Sequence, residues 1–420
     1  MRMRRTTSAL VGLLLAGVGA APAAQARSAR PEQWHLGAMH ADDIWQISTG
    51  RGVTVAVIDT GVGRIPELDG QVVRGKDFSH GYDGDERTDY GDHGTGIAAL
   101  IAGTGKRPSG DGAFGLAPGA KILPLRVSEG GGNLRLHQSI AEAIRFAADS
   151  DAKVLNISFG GPGESGELDA AVRYALDKGK LIFSSVGNDG EGPNEVMYPS
   201  GSPGVVGVSA VGADDAATEE SQHGPQVDLA APGVDIVTGC ADEADSGASF
   251  CSHHGTSDAT ALASASAALL WSAHPDWTGN QVLRVLLNTA GKPDGGERDD
   301  HVGYGVVRPR TALLAPDAPG GPDAPGGPDA PGGRNAPGGR NAPGGRNAPG
   351  DPGPADVYPL PDLAAAEVAG ASAALAPAYA AHAQNKTIGG RLLPWAVLGM
   401  GACLLVAGAV TTAAVQRVRR

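Results

Sequence analysis

The chain has few aromatic residues, few cysteines and no excess of positive charge. Aromatic residues make up 4% of its 420 residues, there are three cysteines, and 46 acidic side chains against 33 Lys and Arg give a formal net charge of −13. Nucleic-acid-binding proteins usually carry a basic patch, so this composition argues against such a partner. An acidic balance otherwise favours solubility and says little about function.

Charged residues are also missing from a C-terminal run at residues 392–415. The run is long enough to cross the roughly 30 Å hydrocarbon core of a bilayer, so it predicts a transmembrane helix. Three arginines in residues 416–420 favour a short cytoplasmic tail. A buried core helix is the alternative interpretation of such a run.

The N-terminus has the pattern of an export signal. Three arginines within the first five residues precede an apolar run at 9–20, and Ala24-Gln25-Ala26 fits the small-residue cleavage pattern. Residues 1–26 are therefore predicted to be a signal peptide, with an N-terminal extension at 27–48; an uncleaved anchor is the alternative. The two ends together predict a single-pass protein of the cell membrane whose globular part is extracytoplasmic.

The positions of the cysteines are consistent with an extracytoplasmic domain. Cys403 lies inside the predicted span, which leaves Cys240 and Cys251 outside it. Disulfides form in oxidising compartments, so this pair predicts a disulfide that closes a short loop, with two free thiols as the alternative.

Residues 315–391 read as a linker. From 316 to about 350 a hexapeptide repeats, first as Pro-Asp-Ala-Pro-Gly-Gly and then as Arg-Asn-Ala-Pro-Gly-Gly. Such a segment has almost nothing to bury and cannot offset the entropy lost on ordering. Proline stiffens it and glycine pairs loosen it, so we expect a semi-flexible stalk.

The remaining region, residues 49–314, is large enough for one α/β domain. Short apolar, β-branched runs predict buried parallel strands. They alternate with helix-like stretches such as 136–148 and 168–176. This alternation predicts a doubly wound, mainly parallel sheet, which binds ligands at the carboxyl ends of its strands. The predicted strands are Val53–Ile58, Ile122–Val127, Val154–Phe159, Leu181–Ser185 and Val205–Val211.

Polar residues stand where such a sheet would place a site. Asp59 directly follows the first strand, while His93 and Ser257 each precede a helix-like stretch rich in small residues. A serine hydroxyl becomes a nucleophile when a histidine accepts its proton and a buried carboxylate orients that histidine. Ser257 N–H, at a helix start, and the Asn188 amide could bind an oxyanion. Taken singly, each residue could instead be a loop carboxylate, a helix-capping group or an ordinary N-cap.

Three segments resemble the signature blocks of subtilisin-like serine proteases. They are Val57-Ile58-Asp59-Thr60-Gly61, His93-Gly94-Thr95 and Gly255-Thr256-Ser257, and the order Asp, His, Ser is that of subtilisin. Further blocks at 156–161, 187–188 and 231–233 extend the resemblance over essentially the whole of 34–314.

The resemblance implies a three-layer subtilisin-like fold and hydrolysis of peptide bonds through an acyl-enzyme on Ser257. No cofactor is predicted, and because the sequence shows no convincing calcium-binding cluster, no metal is predicted either. The resemblance also implies that an extended peptide or protein substrate lies against Ser158, Phe159 and Gly160 and near 130–132. A substrate side chain would enter a pocket between residues 184–188 and 156–159.

The layout resembles a narrower group, the mycosins, which are membrane-anchored subtilisin-like proteases of type VII secretion systems. They share the export signal, the early Asp, the Pro-rich stalk and the single C-terminal span. This resemblance implies that the chain processes type VII-secreted proteins beside a membrane secretion complex. The alternative is a largely structural component that stabilises such a complex; a broad degradative protease fits a tethered chain less well.

The catalytic blocks show two departures from the family pattern. Asp258 follows Ser257 where a small or apolar residue is usual, and its charge should oppose negative charge developing at the oxyanion site. Ala261 replaces the usual proline, which a helix tolerates well. His253 and His254, with Asp92, suggest metal binding only faintly, and solvated loop residues are the favoured interpretation.

Overall fold

A seven-stranded sheet forms the centre of the protein. It is seen in a computed structural model that describes residues 28–79, 82–107, 112–127, 132–241, 250–292 and 298–314. In chain order the strands are β1 (Thr54–Asp59), β2 (Lys76–Asp77), β3 (Lys121–Arg126), β4 (Val154–Ile157), β5 (Gly161–Pro162), β6 (Leu181–Ser185), β7 (Met197–Tyr198), β8 (Val206–Val211), β9 (Leu229–Pro232), β10 (Ile236–Gly239) and β11 (Phe250–His253).

The helices of the described residues are α1 (Trp34–Ala38), α2 (Ala41–Ile44), α3 (His93–Ala102), α4 (Asn133–Ala148), α5 (Gly166–Asp177), α6 (Thr256–Ala273), α7 (Gly279–Thr289) and α8 (Pro309–Leu314). Two 3₁₀ turns, Arg30–Glu32 and Pro66–Leu68, complete the set. The central sheet has the order β2-β3-β1-β4-β6-β8-β9, and all of its pairs are parallel. Antiparallel pairs β5–β7 and β10–β11 lie outside it.

Both faces of the sheet are covered by helices, as the β-branched runs predicted. Alternate side chains of a strand point to opposite faces. Val55 and Val57 pack into the larger apolar cluster with α3, α6 and α7, whereas Ala56 and Ile58 pack into a second cluster with α4 and α5. The result is a three-layer α/β fold whose strands are buried on both sides.

The five predicted strands and the helices at 136–148 and 168–176 are present, with ends shifted by a few residues. The predicted strand Val154–Phe159 was too long. β4 ends at Ile157, and Ser158 leaves the sheet to hydrogen-bond with Ser257. The short strands β2, β5, β7 and β9 and the β10–β11 hairpin were not anticipated, because two to four residues carry too little periodicity.

The N-terminal segment at residues 28–48 packs on the helical layer that contains α3 and α6. Leu36, Met39 and Ile44 are buried in the larger cluster. The indole N–H groups of Trp34 and Trp45 donate to the carbonyls of Val234 and Leu116, each at 2.9 Å. Both tryptophans therefore pack on the domain.

Several predicted segments lie outside the described residues. They are the signal peptide at 1–26, the linker at 315–391, the span at 392–415, the tail at 416–420 and residues 130–131 of the substrate-lining stretch. Within the part of the chain that the structure describes, no helix combines the length and the apolar character that crossing a membrane requires.

His35 is a buried histidine held neutral by the fold. It is fully buried in α1, and neither ring nitrogen has a hydrogen-bond partner among the described residues. Burial, aided by the positive charge of Arg30, lowers the pKa of His35 from 6.5 to about 3. Between these values the unfolded chain binds a proton that the folded chain does not, so stability falls as the pH falls.

We expect His35→Leu to remove this pH dependence. Between pH 6.5 and 3 the wild type should lose roughly 1.4 kcal/mol of unfolding free energy per pH unit relative to the variant. Urea unfolding at a series of pH values measures the difference. The exposed His301→Leu is the matched control, and equal slopes for wild type and His35→Leu would contradict the assignment.

Asp228 should change the pH dependence of stability in the direction opposite to that of His35. It lies 7% exposed just before β9, and its Oδ2 accepts a hydrogen bond from Gly207 N at 3.0 Å. Burial raises the pKa of Asp228 to about 7, against smaller lowering effects of the Gly207 N–H and Arg298. The folded chain therefore holds a proton that the unfolded chain has lost, and the stabilisation present below pH 3.8 disappears as the pH rises toward 7.

We expect Asp228→Asn to keep the hydrogen bond from Gly207 N and to remove the titration. Relative to the variant, the wild type should lose roughly 1.4 kcal/mol per pH unit between pH 4 and 7. The same unfolding series measures it, with the exposed Asp151→Asn as control. A difference that stays constant with pH would show that Asp228 is ionised in the fold.

Candidate active site

The carboxyl ends of three neighbouring strands form one edge of the sheet. β1, β4 and β6 are adjacent and parallel, so the residues that follow them emerge side by side. Asp59 is the last residue of β1, Ser158 follows β4, and Asn188 follows β6. The sequence-predicted site residues therefore meet at this edge.

Asp59 is fully buried and is paired with His93. Its Oδ1 lies 2.7 Å from His93 Nδ1 and also accepts the Thr60 N–H at 2.8 Å. A buried carboxylate is costly unless such partners surround it. An ionised Asp59 requires His93 Nδ1 to carry the proton, which leaves Nε2 as the basic nitrogen.

The loop before α3 holds this pair in place. Asp89 accepts hydrogen bonds from Thr60 Oγ1 at 2.8 Å and from the N–H and hydroxyl of Thr95 at 2.8 and 2.6 Å. A Cβ atom on Gly94 would lie 2.1 Å from Gly61 O and 2.9 Å from Asp59 Oδ1. The first turn of α3 can approach Asp59 only because residue 94 has no side chain. Sequence reasoning missed Asp89, because a single aspartate in a loop has no pattern that distinguishes it from other loop carboxylates.

Ser257 lies in the first turn of α6, opposite the end of β4. Its hydroxyl donates to the Ser158 carbonyl at 3.2 Å, and the Ser158 hydroxyl donates to the Ser257 carbonyl at the same distance. The Ser158 hydroxyl also accepts from Asn156 Nδ2 at 3.0 Å, and Asn156 Oδ1 accepts from Ser264 Oγ at 3.0 Å. This buried polar network fixes the start of α6 against the sheet.

Two packing contacts join the segments next to Ser158 and Ser257 to His93. The ring of Phe159, next to Ser158, packs edge-to-face on the His93 ring, with the ring centroids 5.2 Å apart. His253, four residues before Ser257, stacks on His93 with ring centroids 6.3 Å apart and planes 12° from parallel. His93 keeps 32% of its side chain exposed, so the ring remains open to a substrate.

Asn188 is anchored by its oxygen to the start of α6. Its Oδ1 accepts from the N–H and the hydroxyl of Thr256, both at 2.9 Å. Because Oδ1 already accepts these two hydrogen bonds, the Nδ2 donor is the part of the side chain that can bind a ligand. Gly255 has φ +141°, and a Cβ atom there would lie 2.8 Å from Asn188 Nδ2. Glycine is therefore required at this turn, both for its backbone conformation and for the approach of Asn188.

The expectation that His253 and His254 are solvated loop residues was wrong for His253. It lies on β11, and its Nδ1 is 3.3 Å from the Oδ1 of Asp258, which is 2% exposed. The buried charge of Asp258 thus has a partner, which the sequence spacing did not reveal. His254 Nε2 lies 2.6 Å from Glu220 Oε1. Among the described residues, no three His, Cys, Asp or Glu side chains converge as metal ligands would.

A disulfide joins Cys240 to Cys251, as the sequence predicted for an oxidising compartment. It lies at the end of the hairpin where β10 ends and β11 begins, and this hairpin carries His253 to His93. Ala261 lies inside α6, which continues through it without interruption. Alanine in place of the family's proline therefore leaves the helix intact.

Comparison with known proteins is consistent with this geometry. The subtilase family, Peptidase_S8, matches residues 50–305. Fervidolysin of Fervidobacterium pennivorans is 32% identical over 313 residues, which cover 68% of this chain and 44% of the relative. The chain thus spans less than half the length of that curated relative.

Two solved structures are similar over most of their length. The crystal structure of MycP1 from Mycobacterium smegmatis has 29% identity and a TM-score of 0.61, and the match covers 72% of this chain and 88% of that one. The structure of the MycP3 protease from the type VII (ESX-3) secretion system has 32% identity and a TM-score of 0.57, with 67% and 88% covered.

Proposed function

Because the chain belongs to the subtilase family, we propose that it is a serine endopeptidase that hydrolyses peptide bonds through an acyl-enzyme on Ser257. The observation that carries the proposal is the buried Asp59–His93 hydrogen bond of 2.7 Å at the same sheet edge as Ser257 and Asn188. A protein that served only as a scaffold would have no need to bury a carboxylate against a half-exposed histidine.

The geometry supports a defined path for the proton. Ser257 Oγ attacks the carbonyl carbon of the scissile bond as His93 Nε2 takes its proton, and Asp59 stabilises the resulting imidazolium. The carbonyl oxygen becomes an oxyanion that accepts hydrogen bonds from Asn188 Nδ2 and Ser257 N–H. Collapse breaks the C–N bond, and the leaving amine receives the proton from His93. Water then cleaves the acyl-enzyme by the same steps in reverse.

Substrate binding is assigned to the segment after β4. Ser158, Phe159 and Gly160 leave the sheet beside Ser257, so an extended peptide can lie along them with its reacting carbonyl at Ser257 Oγ. In the absence of substrate the Ser257 hydroxyl bonds to Ser158 O, and it would have to turn toward His93 for catalysis.

We place this domain on the outer side of the cell membrane, tethered through residues 392–415. The export pattern at 1–26, the charge-free run and the basic tail support that topology. MycP3, a similar solved structure, is a protease from a type VII secretion system. By that likeness, the proposed substrates are proteins exported by such a system.

Ser257 should be the single residue that reacts with a fluorophosphonate probe. We expect labelling of the full-length protein at Ser257, retention of labelling in Ser252→Ala, which removes an exposed nearby hydroxyl, and its loss in Ser257→Ala. Mass spectrometry of the labelled peptide identifies the site. A folded protein that stays unlabelled would contradict the peptidase and favour the structural role in a secretion complex.

Asn188→Ala should lower kcat by about 100- to 1,000-fold with little change in KM, because the amide binds the oxyanion and not the ground-state carbonyl. Hydrolysis of a peptide p-nitroanilide measures both constants. Glu191→Ala, which truncates an exposed side chain in the same loop, is the control and should leave kcat within about twofold, as expected for a surface residue outside the site. An equal loss in both variants would point to a distorted loop.

A further inference from the structure

The pocket next to Ser257 has a floor that the sequence did not single out. We call this pocket the acyl pocket and define it by residues 158–160 on one side and 185–188 on the other. Ser257 Oγ is hydrogen-bonded to Ser158 O, and Asn188 Oδ1 accepts hydrogen bonds from Thr256. The Ser257 hydroxyl therefore lies at the entrance of the pocket, between the two walls. The side chain next to a carbonyl held there would enter this pocket.

Met197 lies behind both walls. A Cβ atom on Gly187 would lie 2.9 Å from Met197 Cγ, and one on Gly160 would lie 3.5 Å from Met197 Cβ. Both glycines therefore lie against the same methionine. Met197 is 7% exposed, yet it belongs to none of the three apolar clusters that form the core of the described residues. Its burial serves the pocket and not the core.

The backbone holds Met197 firmly in this position. It pairs with Pro162 through the short β5–β7 ladder. Its carbonyl accepts hydrogen bonds from Ser200 Oγ at 2.7 Å and from Gly201 N at 2.8 Å. The side chain can therefore change rotamer, but its Cα cannot easily withdraw.

Gln222 completes the floor. Its backbone N–H donates to Gly187 O at 3.0 Å, and its Nε2 donates to the Glu195 carbonyl. A Cβ atom on Gly187 would overlap Gln222 Oε1, since the two would be 1.7 Å apart. The carboxamide thus fills the space against Gly187, next to Met197, and places a polar group there.

We propose that Met197 closes the acyl pocket and restricts the residue before the scissile bond to small side chains such as Gly, Ala and Ser. This inference rests on the proposed peptidase function and names its substrate class. A large aromatic side chain would have to displace the methionine, and forcing extra volume into a packed site is unfavourable. A residue no larger than Ser fits above it.

Two assays test the role of Met197 in the full-length protein. The first compares kcat/KM for tetrapeptide p-nitroanilides that differ only in Ala or Phe before the scissile bond. The wild type should prefer Ala, and Met197→Ala should shift the Phe-to-Ala ratio toward Phe by about tenfold or more. Met197→Leu, which conserves volume, should keep the wild-type ratio.

The second assay does not depend on turnover. In a Ser257→Ala background, calorimetry measures the binding of peptides that end in a free Ala or Phe carboxylate. Met197→Ala should shift binding toward the Phe peptide by a similar factor. Met39→Ala, the same change at a methionine buried in the core, should leave the ratio unaltered, and Met197→Val replaces Met197→Ala if the latter does not fold.

Unchanged ratios in both assays for a folded Met197 variant would overturn the inference. A shift in binding without any hydrolysis by the wild type would support the role of Met197 in the pocket while rejecting the peptidase. The two proposals therefore fail in distinguishable ways.

Discussion

Every element of the site is arranged around a carboxylate that has been removed from water. Asp59 is fully buried at the end of a strand whose neighbours on both sides are parallel strands. An ionised group in that position needs hydrogen-bond donors, and the Thr60 N–H and His93 Nδ1 supply them. This requirement determines where α3 starts and why residue 94 is glycine. It also determines which tautomer His93 adopts, and therefore which nitrogen faces the substrate.

The nucleophile is positioned by a second set of constraints. α6 is nearly all buried and rich in alanine, so few side chains other than its hydroxyls can fix its rotation and height. Ser264, through Asn156 and Ser158, ties the helix to β4, while Thr256 ties it to Asn188. A fully satisfied buried polar network of this kind specifies one arrangement among many that an apolar interface would allow. Ser257 is held at the sheet edge as a result.

Further side-chain contacts are built onto this arrangement. Asp258 would be an unpaired buried charge without His253, and His253 in turn packs on His93. The disulfide-closed hairpin that contains His253 thus packs on His93. Met197 and Gln222 fill the space next to Gly187, and Met197 also lies against Gly160. The selectivity proposed above depends on these two side chains.

The sequence by itself determined the parts that depend on local pattern. Buried parallel strands are continuous apolar runs, so β1, β3, β4, β6 and β8 could be read directly, and the glycine-flanked Asp59, His93 and Ser257 could be assigned to strand and helix ends. Only the tertiary structure decided which residues support them. Asp89, Ser264 and Met197 are separated from their partners by loops or by whole elements, and their spacing is no different from that of ordinary polar or core residues. Periodicity reports which face of an element is buried, but contacts between distant segments depend on how the layers pack, and packing is decided by the whole chain at once.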